Sequence, residues 1–214
     1  MDRLQQNGGT SGFITALCLA LLFTLFIASG LDPQTAQDPA KALPILGQKA
    51  GLIAGIGVLG FLASGFGLVF TFGLFARLRE KTPTRAYASL GFAFVGLTSH
   101  ALAAGLLWQG GQMLVALSAT NQPAAGQAWI ALGAVNQSLM AGGNAFTGAA
   151  VLVAGWAIVE AGALNRTLGW LAIVAGIVEL AQVFSAQMAL MGLGFVLVII
   201  WLAWGGSQLR RPPA

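Results

Sequence analysis

Long apolar runs separated by short polar stretches dominate this chain. The runs over about 12–30, 50–76, 86–108 and 129–160 are each long enough to cross a bilayer as a helix, which takes about 20 apolar residues. From Leu168 to Ser207 the chain is apolar again, with little interruption. A straight helix of that length would reach ~60 Å, about twice the hydrocarbon thickness, so the run must fold back. The polar cluster Ser185-Ala186-Gln187 is the expected turn, giving spans over 168–185 and 188–207. The expected fold is all-α: a single integral membrane domain over 1–214, a helical bundle of six transmembrane helices.

The connections carry their own signals. Residues 1–11 are polar, with two glycines and Arg3, and read as a flexible N-terminal tail. The first apolar run is too long for a signal-peptide core of roughly 7–15 residues and its flank is barely basic, so it reads as a retained span. In the outer loop 31–49, Asp32-Pro33 and Asp38-Pro39 each look like an N-cap followed by proline at the first helical position. One or two short interfacial helices are expected there. Residues 109–128, with two glycines, Asn121 and Pro123, read as a second outer loop. The second span is rich in glycine, and Gly60, Ala63, Ser64 and Gly67 share one face that lets helix backbones approach closely. Gly142-Gly143, beside Asn144, is the expected place for an unwound segment.

Charge fixes the orientation of the spans. The loop 77–85 holds Arg77, Arg79, Lys81 and Arg85, four of the ten Lys and Arg residues. Loops of this kind stay in the cytoplasm. With both termini cytoplasmic, Arg3, Arg166, Arg210 and Arg211 also fall inside, and only Lys41 and Lys49 fall outside. Composition agrees with a membrane protein: 57% hydrophobic, 7% charged, and a mean hydropathy of +0.82. Soluble domains carry about 25% charged residues. The net charge of +4 does not point to nucleic acid, because the basic residues sit at span ends, where they meet lipid headgroups. The expected surroundings are the bilayer of a bacterial cytoplasmic (inner) membrane, with a lipophilic small molecule or a membrane-protein partner and no nucleic acid.

Candidate chemistry lies in polar residues at membrane depth. Counted at the helical rise from Arg85 and Arg166, His100 and Glu179 both lie roughly 20 Å from the inner surface. Asn144 and Thr147 reach a similar level. Gln137, Met140, Asn144 and Thr147 form a stripe on the fourth span, and Glu179 and Gln182 share a face of the fifth. A carboxylate in hydrocarbon costs several kcal/mol unless it meets a partner or water, so Glu179 is expected to point into the bundle. Bonded to His100 or Asn144 it would join helices; as a titrating group with His100, Asn144, Thr147, Gln182 and Gln137 it would form a ligand or proton site.

Other chemistries are excluded. One histidine and one cysteine, Cys18, supply no bis-His haem, disulfide or cysteine metal cluster. No lysine lies within a span, and no Ser-His-Asp order, phosphate loop or HExxH occurs. No cofactor or metal is expected.

Two stretches carry a resemblance. Gly73-Leu-Phe-Ala-Arg-Leu-Arg-Glu-Lys-Thr-Pro-Thr-Arg-Ala-Tyr-Ala88 is a helix end and basic turn leading into a small-residue helix. Asn165-Arg-Thr-Leu-Gly-Trp-Leu-Ala-Ile-Val-Ala-Gly176 is a short turn before a glycine-bearing span. With the length and the six spans, they resemble the bacterial membrane-protein family filed as domain of unknown function 4386, though Asn165 stands where that turn commonly has proline. The resemblance implies a fold and no site residues. Three readings follow: a non-enzymatic binding or accessory component, a small-solute or proton-linked transporter using Glu179 and His100, and an intramembrane enzyme acting on a lipid or quinone.

Overall fold

The computed structural model describes residues 3–185 and 188–211 of the chain. Among these residues every regular element is helical. The helices are α1 (Arg3–Ser29), α2 (Pro33–Gln37), α3 (Pro39–Gln48), α4 (Ala50–Leu78), α5 (Pro83–Gly105), α6 (Gly111–Ser118), α7 (Gln122–Ala161), α8 (Arg166–Gln182) and α9 (Met188–Leu209). A π-helical turn, Leu106–Gly110, joins α5 to α6 without a break. Among the described residues, five stretches are long and apolar enough to cross a membrane: α1, α4, the continuous helix Pro83–Ser118, α7 and α9.

Several boundaries differ from the expected ones. Of the tail expected over 1–11, residues from Arg3 onward are helical, and Met1 and Asp2 lie outside the described residues. The glycines that suggest flexibility there are contact points instead. A Cβ on Gly8 would come within 2.7 Å of Gly73 Cα, and one on Gly9 within 2.7 Å of the Gly206 carbonyl oxygen. Packing against α4 and α9 overrides the poor helix propensity of glycine. The expected loop over 109–128 is also largely helical, because Gly110 meets Leu132 and Gly111 meets Leu46 rather than ending a helix. Consequently α7 begins at Gln122, not 129, where Asn121 Oδ1 accepts from Ala124 N at 3.2 Å. It runs unbroken for 40 residues, about 60 Å, through Gly142-Gly143. Gly162, at φ 59°, ends it in the left-handed conformation that glycine adopts freely. In the next connection Asn165 Oδ1 caps α8 by accepting from Thr167 N at 2.8 Å. That helix stops at Gln182, short of the expected 185; Ser185 is non-helical, and the rest of the expected turn, Ala186 and Gln187, lies outside the described residues.

The long helices close a ring in the order α1, α4, α5, α7, α8, α9 and back to α1. Contact levels show each neighbour running opposite to the last. Gly8 meets Gly73, Gly57 meets Trp108, Gly96 meets Thr147, Gly155 meets Gly169, Gly205 meets Leu168, and Gly12 meets Leu202. Only an even number of helices closes a ring with every contact antiparallel, and α8 is the member that makes the number even. Helix α7 crosses α8 closely. There Gly148 and Gly155 face Gly176 and Gly169, and a Cβ on Gly176 would lie 2.6 Å from both Gly148 O and Leu152 N.

Small residues fill these seams while large apolar ones face outward. Leu17, Phe94, Trp156, Trp170 and Ile177 are all more than half exposed. This arrangement is compatible with an integral membrane protein, whose helices associate through close packing and present large side chains to lipid. One end of the ring holds the core around Phe70, Leu74, Ile158, Leu168 and Trp201. Arg77, Arg79, Lys81, Arg85 and Arg166 surround that end. Two of these bases hold the turn after α7: Arg77 Nε donates to Ala163 O at 3.3 Å and Lys81 Nζ to Ala161 O at 3.2 Å. Arg85 pairs with Glu160 and stacks over Trp156, 4.8 Å from its ring centre. At the other end α2 and α3 fold over a second core of Leu43, Leu46, Ile53, Leu114 and Trp129. Asp32 Oδ1 and Asp38 Oδ1 cap these two helices, and Trp129 Nε1 donates to Ala36 O at 2.9 Å. Lys49 Nζ donates to Ala28 O and Ser29 O, closing the end of α1.

Candidate functional site

Helix α7 separates two polar pairs. On its α5 side His100 Nε2 lies 2.9 Å from Asn144 Oδ1. The His100 ring sits against Gly143, and any larger residue there would strike it. One turn on, Thr147 packs its methyl and backbone against Gly96, while its hydroxyl donates to Gly143 O at 2.7 Å. Further along the seam Ser89 Oγ donates to Ala150 O at 2.9 Å. Two interhelical hydrogen bonds therefore flank the Gly96 crossing.

On the α8 side, Glu179 is buried, 8% exposed. Its Oε1 accepts from Gln182 Nε2 at 3.3 Å, one turn along the same helix. Gly148 of α7 leaves room for its Cβ. Gly194 of α9 leaves room for its carboxylate, since a Cβ there would lie 2.8 Å from Glu179 Oε1. Glu179 thus sits where α7, α8 and α9 meet.

The structure separates what the sequence groups together. His100 and Asn144 pair, Thr147 adjoins them, and Glu179 pairs with Gln182. The expected bond between Glu179 and His100 or Asn144 is not formed, because α7 stands between their interfaces. Gln137 belongs to neither group and is exposed. It lies seven residues before Asn144, two turns nearer the start of α7. Asn136 Oδ1 is buried with no partner among the described residues, as is Trp201 Nε1. Both escape sequence reasoning: Asn136 differs from Gln137 only by register, and Trp201 stands within an apolar run. The π turn gives no sequence signal at all. No group of three His, Cys, Asp or Glu residues converges among the described residues.

A groove of about 670 Å³ opens at the capped end between α3, α6 and α7, lined by Pro39, Leu43, Pro44, Gln48, Val115 and Gln122. No protein family model, curated protein or solved structure shows significant similarity to this chain.

Proposed function

We propose that this chain is a six-span protein of a bacterial inner membrane, with both termini in the cytoplasm, acting as a binding or accessory component rather than an enzyme. The even, fully antiparallel ring supports six crossings. Helix α8 has 17 residues, about 26 Å, slightly short of a typical 30 Å hydrocarbon core. It nevertheless contributes Leu168, Ala172 and Ala175 to the interior, as the other ring members do. The excess of bases at one end supports a cytoplasmic assignment for that end. Kinship with the family of domain of unknown function 4386 belongs to the same proposal and rests on the two turns and the span number. A green fluorescent protein fused to the C-terminus is expected to fluoresce, and alkaline phosphatase inserted after Thr120 to be active. A dark C-terminal fusion alongside an active phosphatase at that terminus would sink the six-span reading.

The non-enzymatic reading rests on one observation: His100 with Asn144 and Glu179 with Gln182 pair at separate interfaces instead of converging. Such pairs join helices. Glu179→Gln keeps the volume and the hydrogen bonding, so its melting temperature in detergent should stay within about 3 °C of the parent, a change under about 1 kcal/mol. Native mass spectrometry of either protein should then show the same stoichiometric partner or lipophilic molecule. The second reading, a proton-linked transporter, draws on the burial of Glu179 at membrane depth, where an acid is a functional candidate by default. In that case Glu179→Gln would assemble normally yet abolish a pH-driven flux in liposomes. A lipid- or quinone-directed enzyme would need a reactive partner for Glu179 other than Gln182.

A further inference from the structure

The polar residues that open α1 face outward. Arg3, Gln6, Asn7 and Thr10 share one face at helical spacing, and all four are exposed. Across the seam stands Arg210, just past the end of α9. Its side-chain stem lies against Gly9, where a Cβ would come within 2.6 Å of Arg210 Cγ. Glycine at this position lets the stem lie flat across α1 and carries the guanidinium toward the polar face. Gln6, Asn7, Thr10 and Arg210 together line a groove of about 330 Å³ at the basic end of the ring.

Farther from this end the same face of α1 changes character. Phe13, Leu17 and Leu21 follow Thr10 at spacings of three, four and four, and are 40%, 61% and 46% exposed. On α9, Ala203 and Val196 fall on the Arg210 face at spacings of seven. A cationic, amide-lined pocket thus continues into an exposed apolar strip running along the helix axis. That sequence of surfaces matches a phospholipid from phosphate to acyl chain. A free anion would use the pocket and leave the strip without a role.

We propose that this groove binds one anionic phospholipid of the leaflet at the basic end. Arg210 meets the phosphate, the Gln6 and Asn7 amides meet the phosphate and glycerol oxygens, and the acyl chains lie along Phe13 and Leu17. Arg3, on the same face of α1, adds a second positive charge. The inference rests on the membrane reading above, since it needs the α1–α9 seam to face lipid.

Native mass spectrometry of the full chain in a mild non-ionic detergent tests it, with phosphatidylglycerol, phosphatidylcholine and inorganic phosphate as probes. One phosphatidylglycerol should be retained in preference to phosphatidylcholine. Arg210→Gln should weaken that retention about fivefold, the effect of one basic residue at a charged lipid surface. Asn7→Leu, a change at an exposed position, should also weaken it, and Arg166→Gln should leave it unchanged. Equal retention of the two lipids, displacement of phosphatidylglycerol by millimolar phosphate, or an Arg166→Gln effect as large as that of Arg210→Gln would overturn the groove assignment while leaving the membrane reading intact. A chain that stays monodisperse without detergent would overturn both.

Discussion

Gly176→Ala should be among the most damaging single methyl groups that can be added to a glycine of this protein. The new Cβ would lie 2.6 Å from Gly148 O and from Leu152 N, and 2.7 Å from Leu152 Cβ. Two of those three atoms are backbone, so no rotamer change relieves the contact. Helices α7 and α8 would have to separate, and the same displacement would strain the Gly155–Gly169 crossing one heptad away, where Cβ contacts are equally short. Overpacking of this kind costs typically 1–3 kcal/mol and occasionally more. Replacing glycine by alanine inside a helix offsets about 1 kcal/mol of that cost through backbone entropy. A net loss of up to about 2 kcal/mol is therefore expected, read as a lower melting temperature and an aggregated fraction on fluorescence-detected size exclusion. Gly192→Ala is the control, because nothing lies within 4 Å of the Cβ it would add. It should be neutral or mildly stabilising. If Gly176→Ala were as stable as Gly192→Ala, α7 and α8 would not cross as closely as described.

The same residue type explains how much of the fold the sequence discloses. Apolar runs locate the long helices because the bilayer-length criterion averages over many residues and tolerates errors at the ends. Single glycines do not average. At Gly162 glycine ends a helix; at Gly8, Gly9, Gly110 and Gly143 it is a contact point inside one. Local sequence does not distinguish the two uses, so the start of α1 reads as a tail and the Pro83–Ser118 helix reads as ending at Trp108. The aspartate–proline pairs of α2 and α3 are easier to read, since a cap and a fixed φ are local properties. Residue type and helix position of the polar groups were legible in the sequence, but their partnership was not. Depth follows from counting along a helix, whereas partnership depends on which face of α7 meets which neighbour. One residue of register separates Asn136, whose Oδ1 is buried, from Gln137, which is exposed.

The second large effect concerns the His100–Asn144 pair. His100→Leu and Asn144→Leu each leave a polar partner in a water-poor seam, which costs about 1–3 kcal/mol for the unsatisfied group. In the double variant both polar groups are gone, and the seam becomes uniformly apolar. If the pair joins α5 to α7, the double variant should be less destabilised than the sum of the singles. The expected coupling is about 0.6–1.7 kcal/mol, the range found for hydrogen bonds between membrane helices. Thermal melts of the four proteins in one detergent supply the cycle. Asn144→Leu should be worse tolerated than Gln137→Leu, because Gln137 is exposed and has no place in the seam. Near-zero coupling, with both single variants as stable as the parent, would mean that the 2.9 Å contact contributes nothing to assembly. His100 and Asn144 would then be polar groups held at membrane depth without a structural return, and the transport reading would take precedence over helix joining.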